Sequence, residues 1–491
     1  MVERLLASSA ARGRDPGELA GALLALDLSD LNVERARKLA LTRLLDGGVG
    51  LPLAESLVRT WVRSGDFLLD RNVPLADFVL GNPPYIRLEN VPASRTAAYR
   101  AACPTMRGRS DVYVGFIERA LRSLRPGGVL GFIVADRWMH NRYGSHLRRL
   151  VSEGFSVEAI IEMHDADAFD NDVSAYPAVT VIRRGAQGRA LLATTDDGFG
   201  PAAADRLRSW TTARRSRAVA GAGFRAAVLD TWFRGDELWP SGDPARLAMV
   251  TELEKRFPPL ESSATGTRVG IGVATGADGV YITTDPERVE PERLLPLVMA
   301  RDIASGHLKW SGYLLVNPWD EGRLVDLHQF PRLRSHLQRN EGVVRSRHIA
   351  QRRPDAWFRT IDRVDPDLFQ QPKLLLPDIK ASSHPVLDEG RFYPHHNLYF
   401  VTSVGWDLEV LGGLLLSEVA NLIVGAYCVK MRGGCYRFQA QYLRRIRVPE
   451  LTSVKKKDRQ SLARAFNARD VEAATATAAK LYGLDVLPIR S

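Results

Sequence analysis

The sequence predicts a doubly wound α/β domain followed by a second, α+β domain. Between residues 23 and 182, short apolar runs typical of buried strands alternate with segments of helical periodicity, the pattern of a mostly parallel sheet with helices on both faces. From about residue 245 the apolar runs are shorter, and the turns between them carry Gly, Asp and Pro. A length of 491 residues is enough for two to four domains, each with its own core.

Each element of the first domain is predicted from a local signal in the sequence. An apolar run followed by polar and turn residues marks each strand, and Gly or Pro marks several helix ends. The helix after the first strand is expected to have Asp30 or Asn32 as its N-cap. The predicted helices cover 1–18, 33–45, 110–124 and 143–152, and 51–62 is predicted as another helix or a turn. The predicted strands cover 23–28, 76–80, 129–134, 157–162 and, as the last strand of the sheet, 176–182.

Composition narrows the class of partner. Lys and Arg number 67 against 57 Asp and Glu, a formal charge of +10 that favours a polyanionic partner. The three cysteines, Cys103, Cys428 and Cys435, show no paired spacing, which argues against a disulfide framework or a zinc site and fits a reducing cytoplasm. There is no signal peptide and no apolar run long enough to span a bilayer, so no membrane association is predicted. The spacing of the cysteines likewise predicts no metal.

The stretch Asn82-Pro83-Pro84-Tyr85 follows a predicted strand and carries the clearest chemical signal. Each proline fixes φ near −65° and removes an N–H donor, so the backbone after the strand is rigid. The Asn82 side chain and a proline carbonyl can both accept from one amino group, and the Tyr85 ring can stack on the flat ring that carries it. The alternative is a plain Pro-Pro turn after a strand.

Acidic residues follow two other strands. Asp27 lies at the end of the first predicted strand, where a carboxylate can accept from both hydroxyls of a ribose, although a turn or cap residue would give the same pattern. Asp66, in Gly65-Asp66-Phe67, can accept an adenine amine while Phe67 packs on its face. Because ligands of open α/β sheets bind at the carboxyl ends of the strands, Asp27, Asp66 and Asn82 are expected at one edge.

The order of these features resembles the TaqI-type adenine-N6 DNA methyltransferases, in particular the fused methylase and recognition chains of type IIG restriction–modification systems. The resemblance rests on the acid-ended strand, Gly-Asp-Phe, Asn-Pro-Pro-Tyr, Arg125-Pro126-Gly127-Gly128 before a strand, and Phe169 before a Tyr-Pro-Ala strand. It implies a Rossmann-like class I S-adenosylmethionine-dependent methyltransferase domain over residues 1–185. A connector over 186–244, a target-recognition domain over 245–450 and a basic, helical tail over 451–491 complete the expected organisation.

The resemblance also implies roles for individual residues. Asp27 and the neighbouring Leu28 would hold the ribose end of S-adenosylmethionine, and Asp66 and Phe67 its adenine. Asn82 and the carbonyl of Pro83, followed by Pro84, would accept the target adenine amine. Tyr85 would stack on that base and Phe169 would close its other face. In the recognition domain, the candidate phosphate or guanine contacts are Arg332, Arg334, Arg345, Arg347, Arg352, Arg353 and Arg359.

One family feature is missing from the sequence. Such enzymes begin their sheet with a strand ending in an acid and a glycine-rich turn that lets the backbone approach the methionine end of the cofactor. Nothing similar precedes Asp27. The true protein is expected to start upstream of Met1, or a separate chain supplies the strand, or the protein is an inactive remnant. We therefore expect this chain alone to bind S-adenosylmethionine weakly or not at all.

Three functions remain open at this level. The first is a site-specific, adenine-specific DNA methyltransferase of a restriction–modification system, with double-stranded DNA and a restriction endonuclease as partners. The second is a non-catalytic DNA-recognition subunit, whose binding would not depend on Asn82. The third is methylation of an amide or amine in protein or RNA, where Asn-Pro-Pro-Tyr also occurs. The large second domain favours DNA, and the sequence holds no nuclease constellation that we would defend.

Overall fold

The computed structural model describes residues 1–163, 177–213, 216–428 and 435–485. The chain divides into two compact units, Met1–Trp239 and Pro240–Ser491. No single helix among the described residues is long and apolar enough to cross a membrane; two consecutive helices, Leu408–Leu416 and Glu418–Tyr427, meet that criterion only as a pair and are bent by 64° at the break between them.

The first unit begins with a small layered segment around a two-stranded parallel sheet. Strand β1 pairs with β2 from Ala25↔Val62 to Asp27↔Ser64, and the helices pack on this pair through a core that includes Leu44 and Trp61. The indole of Trp61 donates to the carbonyl oxygen of Leu19 across 2.9 Å. The elements are α1 (Val2–Ala10), a 3-10 helix (Pro16–Gly21), β1 (Ala25–Asp27), α2 (Asp30–Asp46), α3 (Leu51–Trp61) and β2 (Val62–Ser64).

A seven-stranded mixed sheet forms the rest of the first unit. Its strand order is β3-β4-β6-β5-β7-β9-β8, with β3–β4 and β5–β7 parallel and the other neighbours antiparallel. The elements are β3 (Ala76–Gly81), α4 (Ala93–Ala102), α5 (Tyr113–Arg122), β4 (Leu124–Ala135), α6 (Arg137–His140), α7 (Ser145–Gly154), β5 (Phe155–Glu162), β6 (Pro177–Arg184), β7 (Ala190–Thr195), α8 (Pro201–Ala213), β8 (Ala218–Gly221) and β9 (Phe224–Leu229).

Two expectations for this unit are corrected. The N-cap of α2 is Ser29, whose hydroxyl accepts from the Asn32 amide across 3.4 Å, rather than Asp30 or Asn32. The strand at 177–184 is not the last of the sheet. The segment expected as a connector instead adds β7, β8 and β9, which bury apolar side chains such as Leu192 and Phe224. The Ala- and Arg-rich composition of this segment shows no clear strand periodicity. Its strands are recognised only from their pairing in the folded sheet.

The edge of the larger sheet at β3 is open in the part of the chain that the structure describes. Strand β3 has β4 as its only neighbour there, and β1 has only β2. The side chains of Phe78 and Leu80 on β3 are 70% and 55% exposed. An unpaired strand edge with exposed apolar side chains costs free energy.

The second unit combines short antiparallel sheets with helices. Two four-stranded sheets, ordered β10-β20-β16-β18 and β11-β13-β12-β19, share a core with several helices, and the pairs β14-β15 and β17-β21 are separate. The strands are β10 (Arg268–Ile271), β11 (Ile282–Thr283), β12 (Leu294–Val298), β13 (Leu314–Val316), β14 (Trp319–Asp320), β15 (Arg323–Leu324), β16 (Lys373–Pro377), β17 (Ile379–Lys380), β18 (Val386–Asp388), β19 (Tyr393–Pro394), β20 (Leu398–Thr402) and β21 (Tyr436–Arg437).

The helices of the second unit complete its core. The region expected as a tail contributes α18 and α19, which pack with α15 through the buried residues Leu416, Ala465 and Ala474. The helices are α9 (Pro244–Arg256), α10 (Asp278–Tyr281), α11 (Pro331–Arg339), α12 (Glu341–Ser346), α13 (His348–Arg352), α14 (Pro366–Gln370), α15 (Leu408–Leu416), α16 (Glu418–Tyr427), α17 (Ala440–Leu443), α18 (Lys456–Ala468) and α19 (Val471–Tyr482).

Candidate active site

The Asn-Pro-Pro-Tyr stretch leaves the carboxyl end of β3. Asn82 and Pro84 are exposed, Pro83 is buried, and Tyr85 is half-buried. The Tyr85 ring lies beside that of Tyr113, with centroids 6.4 Å apart and planes tilted by 46°. Burial raises the pKa of Tyr85 to about 12, so its hydroxyl stays neutral near neutral pH. The exposed amide and the anchored aromatic ring are the two parts that an amine clamp requires.

The backbone after Tyr85 is fixed to the segment before α5. The Val112 amide donates to the Ile86 carbonyl oxygen across 2.8 Å, and the Leu88 amide donates to that of Ser110 across 3.2 Å. These bonds hold the end of the motif in place. The backbone directly after Tyr85 is thus fixed by two residue pairs, each more than twenty positions apart in the sequence, in addition to the two prolines.

Asp27 ends β1 with its carboxylate exposed. Its Oδ1 accepts from the Ser29 amide across 2.8 Å and from Asn32 Nδ2 across 3.3 Å. Both the turn role and the ligand role are therefore compatible with this side chain, because a carboxylate has about four acceptor positions. Leu28 beside it is 54% exposed.

Asp66 is half-buried, and each of its carboxylate oxygens accepts a hydrogen bond. Its Oδ1 accepts from the Leu68 amide across 3.0 Å, and its Oδ2 accepts from the Tyr99 hydroxyl across 2.8 Å. Burial and the neighbouring carboxylate raise the pKa of Tyr99 to about 12, which keeps that donor protonated. Phe67 stacks on Phe116 at a centroid distance of 5.4 Å. No local pattern indicated Tyr99, whose hydroxyl positions the Asp66 carboxylate.

The structure brings Asp27 and Asp66 together. The Gly65 amide donates to the Asp27 carbonyl oxygen across 3.0 Å, directly after the parallel pair β1–β2. Asp27, Leu28, Asp66 and Phe67 therefore lie in two adjacent turns that follow the carboxyl ends of β1 and β2. The described residues around them contribute no glycine-rich turn for the charged amino-acid end of the expected cofactor. Asn82 ends a strand of the other sheet, and Phe169 lies outside the described residues.

The candidate arginines of the second unit fall into different groups. Arg347 is a structural residue, because its guanidinium donates to the carbonyl oxygens of Thr275, Trp357 and Arg359 at 2.7–3.0 Å. Arg345 pairs with Glu341, Arg332 donates to the Glu287 carbonyl oxygen, Arg334 lies beside His328, and Arg359 lies over the Trp319 ring. Arg352 and Arg353 are exposed at the end of α13. Of these seven arginines, Arg347 is therefore the weakest candidate for a phosphate or guanine contact, because its guanidinium already bonds to the protein backbone.

A polar cluster that the sequence did not indicate lies in the second unit. One ligand atom each from Asp278, His395 and His396 lie within 4.8 Å of one another. Asp278 Oδ2 lies 3.2 Å from His395 Nε2. The other oxygen of the same carboxylate, Oδ1, accepts a hydrogen bond from the Thr275 hydroxyl. The three residues come from two distant segments of the sequence, so no local spacing marks them.

Fold and site together define a mixed α/β unit with polar side chains at the ends of its strands, followed in the chain by an α+β unit. Residues 75–169 match the family model of the Eco57I restriction-modification methylase. The chain is 43% identical to type II methyltransferase M.XhoI of Xanthomonas vasicola, over 99% of this chain and 89% of that protein. It is also 43% identical to type II methyltransferase M.PaeR7I of Pseudomonas aeruginosa, over 99% and 84%. The chain therefore belongs to the type II methyltransferase family of restriction–modification systems.

A solved structure shows the same fold across both units. The type IIL restriction-modification enzyme MmeI, determined in complex with DNA, superposes with a TM-score of 0.60 at 10% identity and covers 95% of this chain. This chain spans 64% of that protein. This structure confirms the expected fold class. The relatives described above confirm the resemblance to restriction–modification methylases, and family membership supports S-adenosylmethionine as cofactor and DNA as partner.

Proposed function

We propose that this chain is the adenine-specific DNA methyltransferase of a restriction–modification system, acting on the N6 amine of an adenine in duplex DNA. The single observation that carries the proposal is the exposed Asn82 amide at the end of β3, with Pro83 buried behind it and the Tyr85 ring anchored beside it. Family membership supports the reaction class, and the clamp supports an exocyclic amine on a flat base as the acceptor.

The residues of the clamp account for the activation of a poor nucleophile. An adenine amine is weakly nucleophilic because its lone pair is delocalised into the ring. Hydrogen bonds from its two hydrogens to Asn82 Oδ1 and the Pro83 carbonyl oxygen draw the nitrogen toward tetrahedral geometry. The lone pair is then localised on the nitrogen, which makes the amine more nucleophilic. S-Adenosylmethionine, when bound, supplies the electrophilic methyl group. The released amine proton leaves to water, so no general base of high pKa is required.

The target base has to leave the duplex to reach this clamp. Extrusion costs a few kcal/mol, and stacking on Tyr85 offsets part of that cost. Phe169 remains a proposal for the opposite face of the base. Asp27, Leu28, Asp66 and Phe67 are proposed to hold the adenosine part of the cofactor. We take the second unit, with its exposed arginines, as the part that selects the DNA sequence.

A second candidate function is a recognition subunit that binds DNA without methylating it. The open edge of β3, with Phe78 and Leu80 exposed, supports this alternative, because the strand that leads to Asn82 has one unpaired side among the described residues.

Transfer of a tritiated methyl group to unmethylated DNA tests the proposal. The chain, its N82A variant and the control N72A, an exposed asparagine that precedes the same strand, are compared for incorporation and for site-specific DNA binding. We expect N6-methyladenine as the product, loss of incorporation by at least about 100-fold in N82A, and unchanged DNA binding. Equal incorporation by N82A ends the assignment. Specific binding without incorporation by the wild-type chain establishes the recognition subunit.

A further inference from the structure

A polar cavity of about 190 Å³ lies beside the amine clamp, within the first unit. It lies past the carboxyl ends of the parallel neighbours β3 and β4: Arg87 lies two residues after the clamp tyrosine, and Arg137 lies two residues after β4. A third guanidinium, that of Arg109, comes from the segment before α5. Three different parts of the chain thus direct arginines to one cavity at the edge where the target base is proposed to bind.

A buried hydroxyl in the cavity wall points to a ligand. Ser110 is 1% exposed, and its Oγ has no hydrogen-bond partner within the residues that the structure describes. A buried polar atom without a partner is costly, so such atoms are commonly satisfied by a ligand or water. The backbone of Ser110 is already used, because its carbonyl oxygen accepts from Leu88. The side chain is therefore available for an incoming acceptor oxygen.

The charge of the cavity favours an anion. Two carboxyl groups, Glu89 and Asp111, also line it against the three guanidinium groups. Glu89 Oε1 lies 3.5 Å from Arg87 Nη1. Burial raises the pKa of Asp111, while Arg137 and Arg87 lower it. The remaining positive charge and the hydroxyl match a tetrahedral, singly charged oxyanion.

We propose that this cavity binds one backbone phosphate of the DNA strand that carries the target adenine, next to the extruded nucleotide, through Arg87, Arg109, Arg137 and the Ser110 hydroxyl. The proposal rests on the proposed function for the identity of the nucleic acid. Extrusion of a base rotates its nucleotide about the backbone, so a fixed phosphate beside it keeps the opened strand in register with the clamp. No step of methyl transfer involves this cavity.

Salt dependence of DNA binding gives the first test. The full chain, R109Q and R137Q are compared with R71Q, an exposed arginine of the same unit outside the cavity, on duplex DNA that contains the recognition site. Each cavity variant is expected to lower the slope of log Kobs against log salt by up to about 0.9, the contribution of one phosphate, and to weaken binding to this DNA, while R71Q leaves both unchanged. Slopes equal to that of R71Q would overturn the proposal.

Neutral methylphosphonates locate the phosphate. Replacing one phosphate at a time around the target adenine should reveal one position where the wild-type chain loses about tenfold in affinity and R109Q loses much less. D111N should strengthen binding, and S110A should weaken it without lowering the unfolding temperature. If Ser110 had only a structural role, S110A would instead leave DNA binding unchanged and lower the unfolding temperature. Absence of any coupled position refutes the cavity even if methylation occurs, whereas coupling without methylation leaves the cavity intact and refutes the proposed activity.

Discussion

The backbone amide of Gly65 donates to the carbonyl oxygen of Asp27 across 3.0 Å, and this bond fixes the two acid-bearing turns of the first unit side by side. Asp27 follows β1, Asp66 follows Gly65, and the parallel pairing of β1 with β2 ends at the same point. The bond brings residues 39 positions apart into the site that we propose for the adenosine part of the cofactor. The amine clamp of Asn82 belongs to the other sheet, whose edge is open.

Cofactor affinity is the first property that we expect the open edge to weaken. The chain of residues 1–491 should bind S-adenosylmethionine more weakly than micromolar, because the adenosine carboxylates are present while no described turn approaches the amino-acid end. Isothermal titration calorimetry measures this directly. D66A should abolish any residual binding and the control D77A, an exposed acid on β3, should not. A micromolar dissociation constant for the wild-type chain contradicts the prediction.

Association through β3 is the second expected property. The substitutions F78S and L80S remove side chains that are 70% and 55% exposed, so each should change the free energy of unfolding by less than about 0.5 kcal/mol. Both should reduce self-association, because apolar open edges pair with other chains. Light scattering at increasing concentration checks this. L130S on the buried neighbour β4 is the contrast, and it should cost on the order of 3 kcal/mol.

Acid should destabilise the second unit. Burial, as the largest cause, lowers the pKa of His336, His384 and His395 from the usual 6.5. Below pH 6.5 the unfolded chain binds protons that these folded imidazoles resist, so stability rises with pH through this region and is lost as pH falls. The temperature of unfolding at pH 5.5 should lie below that at pH 7.5.

A neutral substitution tests the source of that pH dependence. H336Q should flatten the difference between the two pH values, because one of the three resisting groups is gone. The control H348Q changes an exposed histidine of the same unit and should leave the difference as it is in the wild-type chain. An H336Q variant with the full wild-type difference would remove His336 from the explanation.

Gly272 is expected to be irreplaceable for a packing reason. A Cβ at this position would lie 2.3 Å from the backbone carbonyl oxygens of both Pro394 and His395. G272A should therefore cost roughly 3 kcal/mol or more in free energy of unfolding, since neither obstacle is a flexible side chain. Chemical denaturation of the full chain measures the cost. The control G279A, where a Cβ meets nothing within 4 Å, should be nearly neutral.

The local patterns of the first unit were readable because each depends on neighbours in the sequence. The helix at 51–61, the strand that leads to Asn82, and the acids at strand ends follow from apolar periodicity and from the rigidity of proline. The helix cap at Ser29 was missed, because several capping residues stand side by side and only the backbone geometry chooses among them.

The sequence by itself determined the fold class and the enzyme family, since these are written in short stretches of fixed chemistry, and the residues of the amine clamp stay a prediction from it. Only the tertiary structure decided that β7–β9 continue the sheet, that Tyr99 holds Asp66, and that Arg87, Arg109 and Arg137 share one cavity. Each of these depends on which distant segments the sheet brings together. Such contacts carry no local periodicity, and their energies arise only when the strand order is fixed.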